Sequence, residues 1–175
     1  MKSILFAAPR SGSGKTLITC GFLEAVRRRG YHPAAFKCGP DYIDPMFHQY
    51  VLGIPGGNLD SFFLEADQVR QVFASRLKET GADLAVIEGV MGYYDGIGAV
   101  SKRASSWEIS VMTGTPSVLI LDCKGASVSL AAQVKGFADF VDNSNIRGVI
   151  LNRLSPMLYE RLKPVIEKTG IKVYG

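Results

Sequence analysis

A short apolar run, Ser3-Ile4-Leu5-Phe6-Ala7, leads without interruption into Ala8-Pro9-Arg10-Ser11-Gly12-Ser13-Gly14-Lys15-Thr16, and a segment of helical period starts at Lys15. Strand, glycine-rich loop and helix in that order constrain the fold more than any other stretch. The glycines let backbone N–H groups turn toward phosphate oxygens, the helix N-terminus adds a favourable dipole, and a lysine there can bridge β- and γ-phosphates. Gly12, Ser13, Gly14, Lys15, Thr16 and Leu17 are therefore the candidate nucleotide-binding residues, with the Thr16 hydroxyl a ligand for Mg²⁺. The strict pattern of Gly, four residues and Gly-Lys-Ser/Thr is not met, because Pro9 stands where the first glycine would be. The loop is a variant.

The rest of the chain alternates Val/Ile/Leu-rich runs with helical segments, the pattern of an α/β domain. Strands are expected over Ser3–Ala7, Ala34–Lys37, Leu84–Glu88, Ser117–Asp122, Gly148–Asn152 and Lys172–Tyr174, and helices over Lys15–Arg29, Ala66–Thr80, Ser105–Thr113, Ser127–Phe140 and Pro156–Thr169. Near-continuous apolarity fits strands covered on both faces. The expected fold is a P-loop NTPase-like, doubly wound, mostly parallel sheet with helices on both faces, forming one domain over residues 1–175. Two irregular stretches, Cys38–Phe63 and Gly89–Ala104, are long enough to carry function.

Composition limits the setting. No apolar run approaches the roughly 20 residues of a membrane-spanning helix, and the N-terminus has no secretory cleavage pattern, so a cytoplasmic location without membrane association is expected. Cys20, Cys38 and Cys123 have no paired metal-ligand spacing. A net charge of +4 suits a nucleotide or a polycarboxylate as well as nucleic acid; nucleic acid is not expected as a partner. The last run, Ile171-Lys172-Val173-Tyr174-Gly175, reads as a strand with no closing helix, and a longer native chain is expected.

Two further motifs carry acids. Asp83-Leu84-Ala85-Val86-Ile87-Glu88-Gly89 reads as a buried strand ending in a carboxylate, followed by the glycine-rich Val90-Met91-Gly92-Tyr93-Tyr94-Asp95-Gly96. Ligands bind at the carboxyl ends of strands in such sheets, so Glu88 would emerge beside the phosphate loop and help hold Mg²⁺. After the second strand comes Lys37-Cys38-Gly39-Pro40-Asp41-Tyr42-Ile43-Asp44-Pro45-Met46-Phe47-His48. Asp41 and Asp44 fit either a turn whose carboxylates bond their own backbone or an acidic site near a triphosphate. Lys37 and His48 are candidates for receiving substrate carboxylates, with a structural histidine as the alternative.

Together the variant loop, the Lys37–His48 run and the Glu88–Gly96 run resemble the amidoligase domain of cobyrinic acid a,c-diamide synthases, relatives of dethiobiotin synthetase, over essentially the whole chain. The resemblance implies ATP- and Mg²⁺-dependent activation of the a- and c-acetate carboxylates of a corrinoid, or a related tetrapyrrole polycarboxylate, as acyl phosphates. Ammonia then attacks, in cobalamin biosynthesis. It makes Lys15, Asp41, Asp44, Glu88 and Asp95 the catalytic set, Thr16, Asp41 and Glu88 the metal-side groups, and Tyr42, Asp44 and Asp95 the substrate side. It assigns Asn152 to the adenine, although that residue also fits a helix cap before Pro156. Ammonia in this family comes from a glutaminase domain with a cysteine nucleophile, which none of the three cysteines matches; a homodimer is a further expectation. Trp107 departs from the family, whose pattern at Ser105-Ser106-Trp107 tends to be Ser-Thr-Ala.

Two other readings stay open. One is another dethiobiotin synthetase-like ligase, against which the Asp41–Pro45 run argues. The other is a partitioning-type ATPase switch, for which Arg10 stands near the place of a lysine that reaches across a dimer.

Overall fold

Alternation along the strands decides the architecture. A computed structural model describes residues 2–175. In β4 (Leu84–Glu88), Leu84 and Val86 join one buried cluster while Ala85 and Ile87 join another on the opposite face; in β5 (Ser117–Asp122), Val118 and Ile120 oppose Leu119 and Leu121 in the same way. A strand apolar on both faces has to lie inside a sheet covered on both sides. The observed sheet has seven strands, every pairing is parallel, and the order is β3-β2-β4-β1-β5-β6-β7. The remaining strands are β1 (Lys2–Ala7), β2 (Pro33–Cys38), β3 (Gly56–Leu59), β6 (Ile146–Asn152) and β7 (Lys172–Val173).

Helix α1 (Lys15–Arg28) packs Leu23 and Val26 on one face. On the other lie α3 (Ala66–Thr80), α4 (Ser106–Thr113), α5 (Ser129–Asp139) and α6 (Pro156–Glu167), through residues such as Phe73, Ile109, Val134 and Ile166. Glycines end two of these helices: Gly81 and Gly114 cap α3 and α4 at φ 62° and 65°, a left-handed conformation glycine adopts without strain. No helix among the described residues is long and apolar enough to cross a membrane.

The irregular stretch Cys38–Phe63 holds more structure than its sequence announces. It contains the short helix α2 (Ile43–Met46), a π-helical turn (Phe47–Val51) and the edge strand β3. Gly56-Gly57-Asn58-Leu59 has little strand propensity. Tertiary pairing overrides that: at Gly56 a side chain would overlap the Ala35 carbonyl of β2, so glycine is what lets the edge strand close on its neighbour. Trp107 causes no misfit. Its indole N–H donates to the Asn143 carbonyl at 2.8 Å and its ring packs near Tyr94.

Candidate functional site

The phosphate loop leaves β1 at the centre of the sheet and enters α1 through Gly14, which sits at φ 98°. A side chain at Gly14 would collide with the amide of Asn152, whose Nδ2 donates to the Ser13 carbonyl at 2.9 Å. Asn152 at the end of β6 is thereby tied to the loop. Ser13 Oγ donates to the Arg10 carbonyl at 3.0 Å, closing the loop on itself. The Lys15 ammonium bends back to the Met91 carbonyl at 2.7 Å, and burial pulls its pKa below the ordinary lysine value. Leu17, one turn into the helix, is exposed on the rim.

Strand register builds the charged centre. In the parallel pairing of β2 with β4, Lys37 lies opposite Glu88, and β1 on the other side brings the loop to the same level. Glu88 Oε1 accepts from the Thr16 hydroxyl at 2.6 Å and from the Lys37 ammonium at 2.9 Å. Lys37 also bonds Asp44 Oδ2 at 2.6 Å, with Asp41 Oδ2 at 3.8 Å. Burial by itself would lower the Lys37 pKa, but the Glu88 charge and the hydrogen bonds to Asp44 and Glu88 outweigh it and hold the ammonium above its usual value. Burial drives Glu88 upward against the pull of Lys37. Two lysines and three carboxylates thus share one buried neighbourhood, where an unpaired charge would be costly. His48, on the π-helical turn, lies behind Glu88 with its side chain 1% exposed, and burial favours its neutral form.

Residues not singled out in the sequence hold the surrounding loops. Asn58 Nδ2 donates to the carbonyls of Gly39 at 2.8 Å and Asp41 at 2.6 Å, so β3 fixes the turn that carries the aspartates. Asp41 Oδ1 accepts from the Ile43 and Asp44 N–H groups, so the turn reading and the acidic-site reading both describe it. Ser106 exchanges two hydrogen bonds with the Val90 backbone, and the buried Tyr93 hydroxyl lies within 3.0 Å of Ser110 Oγ, Ser117 Oγ and the Ser144 carbonyl. An asparagine or serine that bonds a distant backbone has no local sequence signature, which is why these escape a motif search. Asp95 Oδ2 accepts from Gly92 N–H at 2.9 Å in the turn after β4.

The result is a pocket of about 410 Å³ whose lining includes Gly12, Lys15, Thr16, Lys37, Asp41 and Glu88. Beside it runs a groove of about 370 Å³ that shares Val90 and Met91 with the pocket and is walled by Pro40, Phe62, Phe63 and Ile97, with Asp95 at its edge. Tyr42 is exposed nearby in sequence, on the loop entering α2. Asp44 and His48 contact Lys37 and Glu88 from behind rather than lining the pocket, and Asn152 lies under the phosphate loop. At the β5 and β6 ends, Asp122 pairs with Arg10 at 3.4 Å and Arg153 at 3.0 Å.

Residues 4–175 match the family described as CobQ/CobB/MinD/ParA nucleotide binding domain. The chain is 43% identical to a Listeria innocua protein named cobyrinate a,c-diamide synthase, across all of this chain and 39% of that protein. It is 42% identical to a Brucella ovis protein named hydrogenobyrinate a,c-diamide synthase, across all of this chain and 40% of that one. The chain thus spans about two-fifths of the length of these relatives. Among solved structures, the signal recognition particle 54 kDa protein of Aeropyrum pernix superposes with a TM-score of 0.67 at 16% identity, over 98% of this chain and 40% of that chain. Hydrogenase maturation factor HypB of Archaeoglobus fulgidus gives 0.63 at 15%, over 99% of this chain and 79% of that one. These likenesses support a P-loop NTPase fold. The family match, over nearly every residue, fits the geometry of the loop: the chain belongs to the CobQ/CobB/MinD/ParA nucleotide binding domain family.

Proposed function

We propose that this chain is the ATP-using part of a ligase that amidates the a- and c-acetate carboxylates of cobyrinate or a closely related tetrapyrrole in cobalamin biosynthesis. The observation that carries the reading is the convergence of Lys15 and Thr16 with Glu88, Lys37 and Asp44 at the strand ends, in a chain alike throughout to proteins named as a,c-diamide synthases. Lys15, released from Met91, would bridge the β- and γ-phosphates, and the loop N–H groups would face their oxygens. The donor set fits Mg²⁺: the Thr16 hydroxyl meets Glu88 Oε1 at 2.6 Å beside the loop, with the Asp41 carboxylate on the same pocket wall, all of them the hard oxygens this ion prefers. Thr16 and Glu88 would hold the ion, with Asp41 near, while phosphate oxygens and water complete its shell. Among the described residues no three His, Cys, Asp or Glu side chains could hold a metal by themselves, which suits an ion that enters with the nucleotide. The ion would supply positive charge to the transferring phosphoryl group.

The adjoining groove suits the apolar edge of a macrocycle, placing a peripheral carboxylate toward Lys15. That carboxylate oxygen attacks the γ-phosphorus, ADP departs, and ammonia attacks the acyl carbon with loss of phosphate. Positioning and charge stabilisation do most of this work, supplied by Lys15, the loop amides and the acid cluster. The ammonia would come from a glutaminase. The switch reading rests on Arg10, an exposed arginine 3.4 Å from Asp122 where that class of ATPase has a lysine. The test is ADP release measured with and without cobyrinic acid. Release that rises with cobyrinic acid supports the ligase, and release indifferent to any tetrapyrrole polycarboxylate removes it.

A further inference from the structure

Three polar atoms at the heart of the site have no hydrogen-bond partner: both ring nitrogens of His48 and Oε2 of Glu88. They belong to side chains 1% and 0% exposed, and His48 Nε2 lies 3.8 Å from Glu88 Oε2. A buried polar group left unbonded costs about 1–3 kcal/mol, so two that adjoin without joining call for an explanation. The other carboxylate oxygen is fully employed, accepting from Thr16 and Lys37. Glu88 is therefore gripped at Oε1 alone. A carboxylate held at one oxygen keeps its terminal torsion, which is broad and roughly two-fold.

The backbone around His48 is unusual in the same place. Phe47–Val51 forms a π-helical turn closed by Leu52 N–H donating to the Phe47 carbonyl at 3.2 Å. The extra residue in such a turn re-aims side chains, and π turns occur frequently at functional sites. Here the turn carries the imidazole inward, toward Oε2 of Glu88, the oxygen that Thr16 and Lys37 do not bond.

We propose that His48 is a positioning residue for Glu88: its Nε2–H closes on Oε2 when nucleotide and cation load the front of the carboxylate, so that Glu88 is held at both oxygens. The closure needed is about 1 Å, from 3.8 Å to an ordinary N–H···O distance. The inference rests on the Mg-ATP reading of the phosphate loop. It sets His48 apart from a purely structural histidine. A structural ring would already be bonded, and its loss would lower stability. A ring that is unbonded until the site is loaded can be replaced by an apolar one without harm to the nucleotide-free fold.

The experiment compares wild type with His48→Phe, which removes the donor at similar size, and His48→Gln, whose Nε2 amide can still donate. Thermal unfolding is measured without nucleotide, and ATP affinity by calorimetry with Mg²⁺ or with EDTA. His48→Phe is expected to unfold at or above the wild-type temperature, to keep its affinity in EDTA, and to lose about tenfold of the affinity that Mg²⁺ adds, the scale at which groups behind a metal ligand act. His48→Gln is expected to keep most of that gain. Should His48→Phe fail to fold, His48→Leu removes the donor with a smaller side chain. A donor-free variant that retains the full Mg²⁺-dependent gain, or loses affinity equally in EDTA, overturns the proposal alone. A wild-type protein that gains nothing from Mg²⁺ overturns the Mg-ATP reading and this proposal with it.

Discussion

The ammonium of Lys15 and the carbonyl of Met91 lie 2.7 Å apart, so the loop after β4 fixes the direction of the lysine proposed to bind phosphate. The same ammonium is desolvated, which disfavours its charge. A triphosphate offers it a stronger, charged partner than a neutral carbonyl. Lys15→Ala is accordingly expected to lower ATP affinity at least tenfold and abolish turnover while leaving far-ultraviolet circular dichroism and the unfolding midpoint close to wild type. Calorimetric titration with Mg-ATP reads the first, and unchanged affinity would remove the phosphate-loop assignment.

Glu88→Gln keeps the shape of the side chain and removes its charge. Because Oε1 is shared by Thr16 and Lys37, the amide leaves Lys37 balanced by Asp44 and the more distant Asp41, and weakens the cation side of the site. Substrate-stimulated ADP release should fall about 100-fold or more, within the range of electrostatic groups at reacting centres. Raising Mg²⁺ well above its usual concentration should recover part of the rate. Wild-type turnover at ordinary Mg²⁺ would exclude the metal-side role.

Lys37 makes the clearest statement about pH. Its pKa in the fold lies above the ordinary value, so the native state holds the proton more tightly than the unfolded chain. The stabilisation is then fully present below the unfolded lysine pKa of about 10.4 and is lost as pH rises through the folded value. Lys37→Met should cost about 3–5 kcal/mol at pH 7, the scale of breaking a buried pair. The gap from wild type should persist to pH 9 and narrow only in strongly alkaline solution. Urea unfolding in EDTA at pH 7, 9 and 11 checks this, and a gap that widens with pH would show that Lys37 is not held as an ion by its carboxylates.

What could be read from the sequence and what could not divides along physical lines. The parallel sheet, the loop and the ends of α3 and α4 announce themselves locally, through apolar runs, glycines and helical period. Lys37 and Glu88 are visible as residues, but their pairing depends on strand register, and neither strand states its register in its own sequence. Strand β3 was missed because Gly56-Gly57-Asn58-Leu59 forms a strand only against Ala35–Cys38. Asn58 and Ser106 act through backbone groups far along the chain, which only the folded chain brings together. The burial of His48 likewise follows from a π-helical turn that no periodicity in Phe47–Val51 signals.

The groove beside the phosphate pocket makes a prediction about substrate rather than nucleotide. Phe62 and Phe63 stand edge to face, ring centroids 4.7 Å apart, and remain largely exposed on one wall. Large apolar side chains held at a rim that continues into a polar pocket are what an amphiphilic ligand would cover. Phe63→Ser should raise the KM for cobyrinic acid about tenfold and leave the affinity for Mg-ATP within twofold, since burial of one aromatic is worth about 1.5–3 kcal/mol. Cobyrinic acid is coloured, so equilibrium binding can be followed by absorbance without relying on turnover. An unchanged KM with unchanged binding would assign the two rings elsewhere.

The thiols separate activation of the carboxylate from delivery of nitrogen. Burial pushes Cys20 up to about 11, Cys38 to about 12 and Cys123 to about 11, so none is a ready nucleophile near neutral pH. A glutaminase cysteine needs a depressed pKa or an adjacent base. His48, the histidine nearest the site, faces Glu88. The groups assigned to activation, by contrast, all lie between Gly12 and Asn152, on strand ends, loops and the first turns of α1 and α2 at one edge of the sheet. The 175-residue polypeptide should therefore amidate cobyrinic acid at a low rate with ammonium as nitrogen donor and not with glutamine. The rate should be low because a site open to water lets an acyl phosphate hydrolyse before ammonia reaches it. Mass spectrometry of cobyrinic acid incubated with the polypeptide, Mg-ATP and either donor reads the outcome directly. Amide formed from glutamine alone would require a nucleophile these three thiols do not provide. ADP release stimulated by cobyrinic acid but without amide would locate the failure at capture, with activation intact.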